Sequence, residues 1–263
     1  MRLYEFLNDN PVFRGPYPSI ETTLGEATPD LIKYGRQQQT DIHNQLNIAG
    51  DQKRGKVDPD DKDDEDWNDL DYAVDYTGGG SRPLNHFLHQ HYRNKYPKNQ
   101  KFNSAKNVEA LDRLIANHRL KHQLVVYTGV KESPADAWLK YKADVTKPIR
   151  LHLPAYTSTT TNINRAYEFS EHEVVLRKRH QPRNKNAPPE EFGVQVLMIT
   201  IPPGNPAASL KKISDWPTEN EIILPRGLDI EIDPRPTVLK NNAHIWHTQV
   251  VGHNPVQIAP PAN

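Results

Sequence analysis

The sequence predicts an α+β fold, with helices in its first half and antiparallel strands in its second. Apolar residues recur at helical spacing in residues 84–92 and again in 108–115. From Gln123 onwards the period shortens to two, in runs such as IRLHL and GVQVLMITI that end at Gly or Pro. No glycine-rich turn links a strand to a helix, so a β-α-β nucleotide-binding unit is not expected.

Along the chain, residues 1–50 lack clear periodicity and carry breakers at Asn10-Pro11 and Pro16-Tyr17-Pro18; a helix is expected over 30–47. Residues 58–75, DPDDKDDEDWNDLDYAVD, read as a solvated loop or linker, because like charges repel. Their spacing lacks the central glycine and closing glutamate of a calcium-binding EF-hand, and no metal site is assigned. YTGGGSRP, residues 76–83, reads as a flexible turn. A helix follows, with residues 84, 87, 88 and 92 on one face; His86, His89 and His91 complete no zinc pattern and read as solvated. A second helix runs from about Ser104, its N-cap, to His118, with Val108, Leu111, Leu114 and Ile115 as the buried stripe. Strands are expected at 123–127, ended by Thr128-Gly129, then at 149–153, 193–201, 222–224, 228–233 and 244–251. The tail, 254–263, is proline-rich and expected to be loose.

Composition narrows the function classes. The 263 residues suit one large domain, or one domain with an appendage. With 33 basic and 33 acidic side chains there is no global field to favour nucleic acid or an anionic membrane. The absence of cysteine excludes disulfides, thiolate zinc sites and a cysteine nucleophile. No apolar run reaches transmembrane length and the N-terminus does not read as a secretory signal, so a soluble, cytoplasmic protein is expected.

Glu219-Asn220-Glu221 carries the chemistry. It sits where the polar stretch Ser214-Asp215-Trp216-Pro217-Thr218 runs into the apolar Ile222-Ile223-Leu224-Pro225. In extended backbone, residues i and i+2 point to one face, so both carboxylates can aim into one cleft. Such a pair can stabilise a developing sugar cation and activate a nucleophile. Taken alone, the pair also fits a solvated strand end.

Three further segments give it context: the strand Leu124-Val125-Val126-Tyr127-Thr128-Gly129, the hydroxyl run Tyr156-Thr157-Ser158-Thr159-Thr160-Thr161, and Leu224-Pro225-Arg226-Gly227. Their order resembles the arginine–serine–glutamate class of mono-ADP-ribosyltransferases, which includes clostridial toxins and the Alt and Mod enzymes of T-even bacteriophages. The resemblance covers roughly residues 76–252, with the lead-in Tyr76-Thr77…Leu84-Asn85…Leu88. It implies a catalytic domain over 76–252, built as two packed antiparallel sheets with flanking helices. An N-terminal extension, 1–75, would precede it and a loose tail, 253–263, would follow. It also implies that NAD is consumed as a substrate and that ADP-ribose passes to a protein side chain. Glu221 would stabilise the oxocarbenium-like state, Glu219 would position and deprotonate the acceptor, and Ser158 would hold Glu221. A glutamate at 219 looks like the arginine-modifying subgroup. Tyr127, Thr128, Gly129, Tyr156, Thr157, Thr159, Phe169 and Arg150 would contribute to the NAD site, Phe169 either stacking on nicotinamide or packing in the core.

One departure stands out. The class carries an arginine where this chain has Thr128, which removes a charged contact to the NAD diphosphate. Three consequences are open: Arg82, Arg150 or Arg165 substitutes; backbone amides and threonine hydroxyls suffice; or the domain has become a binding module. Hydrolysis of NAD by water is a further rival. The basic stretch 177–185 reads as a solvated loop, or as a dock for an acidic protein; a nucleic-acid partner is possible but not favoured. The lead-in motifs look more like those of a phage enzyme than of a secreted toxin.

Overall fold

The computed structural model describes residues 42–47, 67–92, 104–130, 133–170, 193–214, 217–238 and 243–255. The expected helix over 30–47 falls inside this set only at 42–45, which is helical. The acidic residues 58–66, the basic stretch 177–185 and the tail beyond 255 lie outside the described residues.

The end of the acidic tract is helical, contrary to the solvated loop its charge implies. Helix α1, Asp69–Asp75, begins with a reciprocal capping box: the Asn68 side chain accepts from the N–H groups of Leu70 and Asp71, and the Asp71 carboxylate accepts from the Asn68 N–H. Asp69 and Asp71 fall in the first turn, where the helix dipole favours negative charge. Asp69 also pairs with Arg113 at 2.6 Å. Leu70 and Ala73 supply the apolar face that charge counting overlooks.

Nor is YTGGGSRP a turn. Tyr76–Gly80 forms a π-helical segment that runs without a break into α2, Ser81–Tyr92. The wider π geometry falls where three glycines disfavour the regular α-helix. Helix α3, Ser104–Ala116, buries the predicted stripe of Val108, Leu111, Leu114 and Ile115. Together α1, α2 and α3 enclose one core with Tyr76, Tyr156, Leu210 and Ile223. Packing therefore continues across residue 75, and also reaches Leu46, which is fully buried in the central core.

The strands are β1 (Leu124–Val130), β2 (Ile149–Leu153), β3 (Thr157–Thr160), β4 (Gln195–Ile201), β5 (Ala208–Ser209), β6 (Glu221–Leu224), β7 (Leu228–Ile232), β8 (Thr237–Val238) and β9 (His244–His253). Helix α4, Ala135–Tyr141, follows β1, and helix α5, residues 163–170, follows β3. Hydrogen bonds link the strands in the order β2-β7-β9-β4-β1-β3-β6-β5, with β8 on β9. Residues from both ends of that order, Ile222 and Leu224 of β6 and Ile149 and Ile232 of β2 and β7, share one core with Leu124, Val126 and Trp246. The sheet must therefore bend back on itself, so that the two packed halves expected from the sequence are joined in one ladder. One pairing departs from the expected antiparallel pattern: β4 and β9 run parallel, the connection through β5–β8 supplying the crossover. β1 also differs, running on through Thr128 and Gly129 to Val130.

Because Asn68 caps α1, Asn68→Ala should lower stability by about 1 kcal/mol, read as a lower urea midpoint. An unchanged midpoint would return the end of the acidic tract to the status of a solvated loop.

Candidate active site

The sheet has an inner face on the central core and an outer face with two helical covers. α1–α3 cover Ile223 of β6, and α5 covers Tyr127 of β1 through Ile163 and Ala166. Between them the register aligns Tyr127, Thr160 and Glu221 across β1, β3 and β6, so these side chains share the outer face. Ser158, two residues along β3 from Thr160, faces the same way. An open cleft of about 680 Å³ lies in this seam. Gly129 permits the close approach of α5: a Cβ there would lie 2.3 Å from the Ala166 carbonyl oxygen and 2.8 Å from the Ser170 nitrogen.

Glu219 and Glu221 both line the cleft, though not through the shared strand face that the spacing suggests. Glu219 closes a single 3₁₀ turn, Pro217–Glu219, and Asn220 takes left-handed backbone with φ 49° before β6 starts at Glu221. Asparagine tolerates that region better than most residues. The turn is pinned to β3, since Thr160 Oγ1 donates to the Glu219 carbonyl at 2.6 Å.

The two carboxyls differ in environment. Burial pushes Glu221 up to about 7; a hydrogen bond from Ser158 opposes the rise and the charge of Glu219 adds to it. Glu219 is more open, and its smaller upward shift, again from desolvation, is opposed by Arg165. Ser158 is held in turn. The Tyr76 hydroxyl lies 3.2 Å from Ser158 Oγ, and Asn85 Nδ2 donates to the Tyr76 oxygen at 3.4 Å. Burial raises the Tyr76 phenol to about 12, so it stays neutral. The result is a chain from Asn85 through Tyr76 and Ser158 to Glu221.

Other predicted residues divide by what their polar atoms do. Thr128, half-buried, and Thr157 line the cleft, as does Phe169, which is 50% exposed on α5. Tyr156 forms a wall, but its hydroxyl is committed to the Asp112 carboxylate (2.7 Å) and the Val108 carbonyl (3.0 Å). Thr159 also borders the cleft, but it is buried and its hydroxyl donates to the Ile222 carbonyl at 2.7 Å. Tyr127 and Gly129 line the cleft too, Tyr127 as a buried member of the α5 core. Arg150 does not join the cleft: it lies on β2, at the far end of the strand order, opposite Glu231. Arg165 pairs with Glu168 at 2.6 Å. Arg82 lines the cleft.

Sequence reasoning missed the role of Tyr76, because the glycines after it suggested a turn. It also missed Arg226, which is buried and donates to both Asp112 oxygens at 2.7–3.2 Å, bracing Tyr156 against α3. The Asn68 and Asp71 capping pair was the available signal that the helix starts early and carries Tyr76 inwards.

Residues 32–252 match the ADP-ribosyltransferase exoenzyme family. No curated protein matches by sequence. Among solved structures, the chain is similar to Plx2a, an ADP-ribosyltransferase toxin from Paenibacillus larvae, with TM-score 0.53, 15% identity, and coverage of 82% of this chain and 96% of that one. It is similar also to the Clostridium limosum C3 exoenzyme, with TM-score 0.53, 14% identity, and coverage of 82% and 94%. At these identities the likeness speaks to the fold.

The Glu221 shift has a thermodynamic consequence. Its folded pKa of about 7 exceeds the ordinary 4.5, so burying the neutral acid stabilises the fold fully below pH 4.5. That contribution is lost as pH rises to about 7, roughly 3 kcal/mol at ~1.4 per unit. In urea titrations across this window, Glu221→Gln should show a smaller fall in stability than the unsubstituted chain. Parallel pH profiles would mean that Glu221 is not desolvated.

Proposed function

The chain belongs to the ADP-ribosyltransferase exoenzyme family, and we propose that it transfers ADP-ribose from NAD to an arginine side chain of a target protein, releasing nicotinamide. The observation that carries this reading is the contrast between the carboxyls. Glu221 is half-buried beside Ser158 and Glu219 sits in the adjoining turn, both facing one cleft.

The chemistry follows from those positions. The bond between ribose C1′ and the nicotinamide nitrogen breaks, and its electrons leave with nicotinamide as a neutral molecule. Positive charge grows on C1′ and the ring oxygen. An ionised Glu221 stabilises that charge strongly because little water competes for it. An acceptor nitrogen then bonds to C1′ and gives up a proton, for which Glu219 is the base. Ser158, fixed by Tyr76 and Asn85, keeps Glu221 from turning towards solvent. Arginine is the favoured acceptor because Glu219 can pair with a guanidinium and take its proton as the bond to C1′ forms.

Incubation with NAD labelled in its ADP-ribose moiety and a cell lysate tests the reading. Labelled protein supports transfer, free ADP-ribose alone supports hydrolysis by water, and unchanged NAD supports a binding module. Glu221→Gln should lower nicotinamide release by about 10²–10³-fold. Glu219→Gln should reduce protein labelling more than nicotinamide release. In the unsubstituted enzyme kcat/KM should rise with pH and level off above about 7, because protonated Glu221 cannot stabilise the cation.

A further inference from the structure

NAD carries two negative charges on its diphosphate, and the cleft already holds two carboxyls. Close approach without a cation is unfavourable in a partly desolvated site, where like charges are poorly screened. At Thr128, where a guanidinium would serve, there is only a hydroxyl and the β1 backbone. Helix α2 supplies the alternative. Arg82, His86 and His89 all line the cleft, and their spacing of four and three residues puts them on one helical face. Leu84 and Leu88, both buried, fix the other side of α2 to the core. The face is therefore presented by a rigid element.

Among the described residues lining the cleft, Arg82 is the only arginine or lysine. It is exposed, and no acidic side chain among the described residues pairs with it. Arg165 by contrast is paired with Glu168, and Arg150 lies on β2 beyond the cleft. A free guanidinium on a rigid wall, facing a site with surplus negative charge, has the geometry for a bidentate phosphate contact. We propose that Arg82, on the His86 and His89 face of α2, is the diphosphate-binding residue of this cleft, taking from a helix the contact that Thr128 cannot make from β1. This rests on the transferase reading and goes beyond it by assigning the anion subsite to this chain's own residue.

Calorimetric titration with NAD and with ADP-ribose, which keeps the diphosphate but has no nicotinamide to lose, tests the assignment. Arg82→Ala should weaken both ligands by on the order of tenfold or more. Its melting temperature should stay unchanged because the side chain is exposed. Arg82→Lys should recover part of the loss, and Thr128→Arg added to Arg82→Ala should recover most of it. Nicotinamide riboside, which lacks phosphate, should bind equally to the unsubstituted chain and to Arg82→Ala. Equal NAD affinity in these two proteins would overturn the assignment and leave the transferase reading intact. Failure of the unsubstituted chain to bind either NAD or ADP-ribose would overturn both.

Discussion

A partly desolvated carboxyl group at the mouth of a cleft is the constraint around which the outer face of this sheet is arranged. Glu221 opens β6 at a point where the next outward side chain, Ile223, is already under the α1–α3 cover. An ionised group there is disfavoured by desolvation, which raises its pKa to about 7. An apolar residue would be cheaper to desolvate at this position. A destabilised residue supported by a dedicated set of partners is the pattern expected where a site, and not the core, has set the residue type.

Those partners come from separate parts of the chain, so the site constrains the fold over a long span of sequence. β3 divides its hydroxyls by strand parity. Ser158 and Thr160 face outwards, one bonding the Glu221 carboxyl and the other the Glu219 carbonyl, while Thr159 turns inwards to the Ile222 carbonyl. The π-helical segment brings the Tyr76 hydroxyl to Ser158, and α2 brings Asn85 to Tyr76. On the other side of the seam, the missing side chain of Gly129 lets α5 settle against β1. The Arg226 to Asp112 contact, at 2.7 Å, ties the loop after β6 to α3, and Asp112 in turn receives the Tyr156 hydroxyl. The cleft is thus the gap left between two covers that are each fixed independently.

Much of this was legible in the sequence, for identifiable reasons. Apolar periodicity gave α3 and its stripe, and alternation gave most of the strands, because both patterns follow directly from which faces are buried. The cleft residues Glu219, Glu221, Ser158 and Thr128 were legible because the order of their motifs resembles that of the ADP-ribosyltransferases. What failed was reasoning from local composition. The acidic residues 69–75 looked solvated by charge, yet two of the aspartates sit where helix geometry rewards negative charge, and the intervening Leu70 and Ala73 are core. The triple glycine looked like a turn, yet the helix passes through it because packing on both sides outweighs propensity. The two carboxylates converge by a left-handed turn at Asn220, which no strand rule anticipates. Arg150 was placed by proximity in sequence, and strand order sends β2 to the opposite edge.

The raised pKa also bears on how such a site would be switched on. Near neutral pH, a carboxyl with a pKa of about 7 is divided between its two forms, and only the ionised form can stabilise a sugar cation. The nicotinamide ring of NAD carries a positive charge. Placed beside Glu221, as in the proposed reaction, that charge would favour the carboxylate and lower its pKa, so that substrate binding would release a proton and ionise it. After nicotinamide departs and the acceptor bond forms, the positive charge is gone and the carboxyl can return towards its neutral state. Desolvation would then serve two ends. It strengthens the interaction with the developing cation, and it keeps an uncompensated charge out of the resting cleft, where Glu219 already contributes one.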